Sequence, residues 1–208
     1  MTEFRENHEA LLMIHGHILE STEVLGALPA EDILKAARLV IETLRAGGKI
    51  MLCGNGGSAA DAQHIAAELM GRYMTDRAPL AAIALTTDTS ALTAIANDYK
   101  FEEVFARQIW GIGRAGDCLI AISTSGNSAN IGEAMETCKN LGIKVIGLTG
   151  GWSTLGDAKW KKDVGAWFEQ HCTVCIKVPS TSTPIIQQCH ITIGHIICGL
   201  VEAEFTKE

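Results

Sequence analysis

Positive charge is scarce in this chain and nowhere concentrated: 17 Lys and Arg stand against 24 Asp and Glu, a formal net charge of -7. Without a basic stripe there is no surface for nucleic acid or an anionic membrane. No apolar run reads as long enough to span a bilayer, and the opening Met1-Thr2-Glu3-Phe4-Arg5-Glu6-Asn7 is too polar for a signal peptide. Repeats, low-complexity tracts and linkers are lacking as well. So is the Lys of a phosphate-binding Walker loop, and no G-x-G-x-x-G marks a dinucleotide site, which sets aside a dinucleotide-dependent enzyme. The seven cysteines are odd in number and mostly flanked by apolar residues, which reads as buried reduced thiols. Cys172 and Cys175 form a lone C-x-x-C, but in a strand their spacing turns the side chains to opposite faces, against a shared metal or redox role.

What is present is a globular composition, 47% hydrophobic and 20% charged over 208 residues, enough for one domain with a substantial core. Apolar residues at helical spacing (Leu11, Leu12, His15, Ile18, Leu19) predict a helix over 4–26. A second begins near Pro29 and stops at Gly47-Gly48. Strands are predicted at 49–53, 81–85, 118–122, 144–148 and 173–178. Between them fall helices at 59–73, up to about 112, and at 129–141, with a long closing helix over 184–205. The alternation gives an α/β fold, a doubly wound parallel five-stranded sheet flanked by helices, with an N-terminal helical extension. Ligands of such sheets bind beyond the carboxyl ends of the strands.

Two of those ends carry loops suited to an anion. Gly54-Asn55-Gly56-Gly57-Ser58 joins a strand to a helix, where glycines let backbone N–H groups and the helix dipole approach a phosphate; a plain tight turn explains it about as well. Ser123-Thr124-Ser125-Gly126-Asn127-Ser128 gathers four hydroxyls at a second strand-to-helix junction. Helix capping accounts for one of them, Ser128, but not for all four, so phosphate binding is the better reading.

The ionisable candidates lie on helices. His64 and Glu68 are four apart, on one face, as two ligands of one metal would be; the plainer alternative is a surface pair. Gln187, His190 and His195 lie in an apolar stretch, where structural and functional roles are evenly matched. Asn97-Asp98 closes a helical segment; Asp98 either caps the next helix near Phe101 or meets a sugar hydroxyl.

Several runs together resemble the phosphoheptose isomerases of the sugar-isomerase (SIS) fold. They are Cys53 to Ser58, Asp61 to Leu69 with Gly71-Arg72-Tyr73, Ala96-Asn97-Asp98, Gly116-Asp117, Ile122 to Asn130, and Gln187 followed eight residues later by His195. The resemblance implies a single SIS domain over 1–208, with helices of 1–48 in oligomer packing. It further implies a cytoplasmic homotetramer that interconverts sedoheptulose 7-phosphate and D-glycero-D-manno-heptose 7-phosphate. Glu68 would be the general base and His195 the general acid. Asn55, Gly56, Gly57, Ser58, Glu68, Asn97, Asp98, Ser123, Thr124, Ser125, Ser128 and Gln187 would contact the substrate, and His64, Glu68, Gln187 and His195 would surround one zinc ion (Zn2+) per subunit. Relatives that bind a replication initiator have lost the acidic and His positions, which this chain keeps; isomerisation of another sugar phosphate is a further alternative.

The chain departs from the family pattern in two places. Thr183-Pro184-Ile185-Ile186-Gln187-Gln188 stands where the family reads Thr-Ala-Arg-Ile-Gln-Glu, and the segment 151–171 is longer, with Trp152, Trp160 and Trp167. Trp160, Val164, Trp167 and Phe168 form an apolar helical stripe that packs on a neighbouring subunit, over the active-site mouth, or on the chain's own core. Because eight residues separate Gln187 from His195 by about 12 Å along a helix, His190 is a nearer ligand for either. The His64–Glu68 face is expected to meet the last helix of a different chain.

Overall fold

The computed structural model describes residues 2–151 and 164–206. Its centre is a five-stranded sheet, all parallel, in the order β2-β1-β3-β4-β5. The strands are β1 (Ile50–Gly54), β2 (Ala82–Ala84), β3 (Cys118–Ser123), β4 (Lys144–Gly150) and β5 (Val174–Val178). β1 and β3 lie side by side in the middle, with Gly54 opposite Ile122, so the loops that leave them emerge together at one sheet edge. That is where the strand order reverses direction, the usual place for a ligand.

Because successive strand residues face opposite ways, each strand feeds two cores. Ile50, Leu52, Ile120 and Ile122 face one layer, with α2 (Ala30–Arg45), α3 (Gly57–Met70) and α8 (Thr183–Phe205). Met51, Cys53, Leu119 and Ala121 face the other, with α5 (Ala106–Ile112), α6 (Ala129–Leu141) and α7 (Val164–Gln170). The central strands β1 and β3 are buried along their whole length, as a sheet covered on both faces requires.

The expected order of elements holds, with ends shifted by a few residues. α8 corrects one expectation: at 23 residues it is long and apolar enough to cross a membrane. Half of that window is instead buried inside the fold, where α8 packs on α2 and α3. Ile185, standing where the family carries Arg, is fully buried in that core. α1 (Thr2–Gly26) behaves differently. It touches α8 through Ser21 and His17, which both reach Gln188, yet Leu12, Met13 and Leu19 are more than half exposed.

Of the Trp-rich segment, Trp152 and Trp160 and the side chain of Val164 lie outside the described residues. Phe168 is buried in the chain's own core, and Trp167 stacks on His171 with ring centres 3.9 Å apart. The C-x-x-C reading is also corrected. Cys172 lies in the turn before β5 and not in the strand, and its thiol donates to the Phe168 carbonyl at 3.1 Å. All seven cysteines are free.

Candidate active site

β1 delivers the first loop. Gly56 sits at φ +55°, ψ -121°, a conformation that side chains resist, and it turns the chain straight into α3. Asn55 reaches sideways to Asn130 in the first turn of α6, and the two amides exchange hydrogen bonds of 2.8 Å in each direction. Ser58 is buried just inside α3.

β3 delivers the second loop, facing the first. The Ser123 and Ser128 hydroxyls lie 3.1 Å apart, and the Ser125 hydroxyl accepts from the Asn127 N–H. Ser128 holds the N-cap position of α6 but makes no side-chain cap bond. The capping role expected of it therefore fails, and its hydroxyl is engaged with Ser123 instead. Ser123 is buried while Ser125 is exposed, so the hydroxyls form a ladder from the sheet edge toward solvent. Thr124 anchors the loop to β4 by accepting from the Gly150 N–H.

α3 and α8 run alongside one another in the same direction. Gly57 faces Gln187, Ile65 faces Gly194, and Tyr73 faces Gly199. Gly194 permits the approach, since a Cβ there would overlap Ile65 at 2.5 Å. The next residue, His195, is thereby brought onto His64, with the two Nε2 atoms 2.9 Å apart. Glu68 lies one turn along α3, its Oε1 3.3 Å from the His64 Nε2. One ligand atom from each of His64, Glu68 and His195 lies within 4.8 Å of the others. All three belong to one chain, which overturns the expectation that His195 meets the His64–Glu68 face from a different chain.

The remaining candidates are dispersed. The Gln187 amide packs on Gly57, at the loop end of the α3–α8 groove. His190 points into the core, is 0% exposed, and neither ring nitrogen has a hydrogen-bond partner among the described residues. Its expected service as a metal ligand therefore fails. The Thr149 backbone lies beside the ring without a well-formed bond, and burial pushes the imidazole down to about 4. Asn97 and Asp98 are the last two residues of α4 (Thr89–Asp98), exposed and bonded to each other at 2.8 Å. Asp98 caps nothing: the 3₁₀ turn Phe101–Glu103 that follows has Lys100 at its N-cap.

Four residues carry more than sequence reasoning assigned them. Asn130 ties the two loops together. Asp61, one turn before His64, holds a buried carboxylate oxygen without a hydrogen-bond partner among the described residues, and burial pushes it up to about 6 against the pull of His64. The Tyr73 ring stacks on His195, 5.7 Å between centres. Glu202 is a buried acid within the apolar end of α8. The first three fall inside the runs that carry the family resemblance, and Glu202 leaves a physical trace of its own, since an acid in a buried apolar run calls for a partner.

Two strand-end loops rich in glycine and hydroxyls thus open side by side, and a His–Glu–His cluster lies further along α3. Comparison with known proteins gives the family. The SIS domain family matches residues 17–150. The chain is 56% identical over 173 residues to the phosphoheptose isomerase of Rhodospirillum rubrum, covering 83% of this chain and 86% of that one. To that of Akkermansia muciniphila it is 50% identical over 187 residues, 90% and 92% of the two chains.

The chain belongs to the phosphoheptose isomerase family.

Solved structures of family members superpose closely. The enzyme of Neisseria gonorrhoeae matches with a TM-score of 0.81 at 42% identity, over 93% of this chain and 99% of that one. That of Francisella tularensis gives 0.82 at 36% identity, over 93% and 98%. The sugar-isomerase architecture inferred from the sequence is thus confirmed.

Proposed function

We propose that the chain is a sugar-phosphate aldose–ketose isomerase that interconverts sedoheptulose 7-phosphate and D-glycero-D-manno-heptose 7-phosphate. The observation that carries this reading is the convergence of Glu68 with two imidazoles beside the two-loop cradle, in a chain of this family. Moving a carbonyl between neighbouring carbons requires a base to take a carbon proton and an acid near the oxygen, through an enediol. Glu68 is the base and His195 the acid. Ser123, Thr124, Ser125 and Ser128 hold the phosphate with neutral donors, together with Asn55, Gly56, Gly57 and Ser58. Gln187, Asn97 and Asp98 contact the sugar. Holding the phosphate far from the reacting carbons fixes the sugar's position for proton transfer.

Two imidazoles and a carboxylate fit zinc, whose preferred ligands are these and whose catalytic sites hold few protein donors. The facing Nε2 atoms of His64 and His195 support this, since neutral imidazoles at that distance must share a proton or a cation. His64, Glu68 and His195 would hold the ion; Gln187, expected as a further ligand, instead packs its amide on Gly57 at the loop end of the groove. Bound there, zinc supplies stabilisation of developing charge on the substrate oxygen.

The exposed leucines and methionine of α1 form an apolar surface that association would cover. They support a homotetramer in which the helices of 1–48 contribute to packing. The setting is a soluble, cytoplasmic enzyme supplying heptose for surface glycans such as lipopolysaccharide. Incubating the purified protein with sedoheptulose 7-phosphate and following the sugar by NMR tests the activity. Appearance of the heptose 7-phosphate is the expected result, and an unchanged substrate overturns it.

A further inference from the structure

Glu202 lies two turns beyond His195 on α8 and is 4% exposed. Its carboxylate accepts three consecutive backbone N–H groups, from Tyr73 at 2.9 Å and from Met74 and Thr75 at 2.8 Å each. Arg77, equally buried, brings its Nε to 3.7 Å from the same carboxylate. The rest of the guanidinium turns the other way. Nη2 donates to the Glu68 carbonyl at 2.8 Å, and Nη1 donates to those of Leu69 and Ala78 at 3.0 and 2.9 Å and more weakly to Gly71. Carbonyls 68 to 71 close α3, where a helix has no partners of its own to offer. One ion pair therefore caps the helix that carries Glu68 and fastens it to the helix that carries His195.

A buried ion pair is weak evidence for stability, because apolar residues of similar size often serve as well. What apolar residues could not supply is the set of directed bonds that fixes the last turn of α3 and the path of 73–75. That path sets the Tyr73 ring against His195.

We propose that Glu202 and Arg77 are positioning residues for the isomerisation: they hold the Glu68 turn and the Tyr73 ring in fixed relation to His195. The inference rests on Glu68 and His195 being the acid–base pair. Proton transfer tolerates little displacement, and an error of about 1 Å can cost a hundredfold in rate. Gly57, at the phosphate end of α3, is eleven residues from Glu68, roughly 16 Å along the helix. Loosening the far end should therefore slow the chemical step without weakening the hold on phosphate.

The test is steady-state kinetics with sedoheptulose 7-phosphate, per folded protein and well below each variant's Tm. Glu202→Gln sets an amide N–H against donors it cannot satisfy. It should lower kcat roughly ten- to a hundredfold, with KM within about twofold. Arg77→Lys, which keeps the charge but loses the fork, should do the same. Tyr73→Phe keeps the ring and should keep most of kcat, while Tyr73→Leu should not. If Glu202→Gln does not fold, Arg77→Lys and the Tyr73 pair decide the question. A lowered Tm with unchanged kcat, or a raised KM with unchanged kcat, overturns the proposal. Glu68→Gln run alongside separates the two failures: an active Glu68→Gln means the base is misassigned. An inactive one beside unimpaired positioning variants means that Glu202 and Arg77 serve stability alone.

Discussion

Asn55 and Asn130 lie 75 residues apart in sequence and join the loops that leave β1 and β3 by a reciprocal pair of amide hydrogen bonds, 2.8 Å each way. Asn130 is buried, so its amide has no water to turn to. Replacing it with Leu removes both of these bonds from the half-buried Asn55, at a cost of about 1 kcal/mol, and frees the first loop. Asn130→Leu should therefore raise KM for sedoheptulose 7-phosphate severalfold and lower Tm. An unchanged KM would mean that the loops hold their positions independently.

The hydroxyl ladder makes a sharper claim about affinity. Ser123→Ala with Ser125→Ala removes two neutral donors, one of which also orients Ser128. With each bond contributing about 1 kcal/mol, KM should rise roughly tenfold or more. An unchanged KM with product still forming would place the phosphate elsewhere.

The buried His190 and the half-buried Asp61 tilt the pH dependence of stability in opposite directions. Folding lowers the His190 value from 6.5 to about 4. The unfolded chain therefore takes up this proton first, and the stability present above about pH 6.5 is lost as pH falls toward 4. Folding raises Asp61 from 3.8 to about 6. Its contribution is greatest below about pH 3.8 and is lost as pH rises through 6. Measured by thermal unfolding with chelator present, the Tm of His190→Leu relative to the parent should climb as pH falls from 7 to 5. That of Asp61→Asn should climb as pH rises over the same range. Differences that do not change with pH would show that neither group titrates as its burial dictates.

Metal binding should appear without any turnover. A ligand that binds only the folded state adds about 4 kcal/mol when present at a thousand times its Kd. Removing metal with a chelator should thus lower Tm, and adding zinc should restore it. His64→Ala, missing one of the three converging ligands, should not respond. An equal response in that variant would move the ion to another place.

The fold was legible because buried parallel strands are short apolar runs bounded by Gly and Ser, and five of them alternate with helices. Local pattern also found both loops and the His64–Glu68 face. It failed where the outcome depends on packing between distant elements. Nothing near His195 says whether it meets His64 of its own chain or another's; that is set by Gly194 letting α3 and α8 touch. His190, in the same apolar run, is turned into the core by helix phase. Ser128 occupies a cap position yet bonds the Ser123 hydroxyl at the end of β3, a partner the local cap pattern does not reveal. Asn130 and Arg77 act through partners that only the folded chain brings near.

The central claim is that Glu68 takes the carbon proton, and Glu68→Gln tests it most directly. The amide keeps the shape of a side chain that lies 3.3 Å from His64 but cannot accept that proton. General base catalysis typically contributes about 10²–10⁴-fold. With sedoheptulose 7-phosphate and NMR detection, kcat should fall below about a hundredth of the parent value, with circular dichroism and assembly state unchanged. Turnover above about a tenth of the parent by the folded variant would contradict the account.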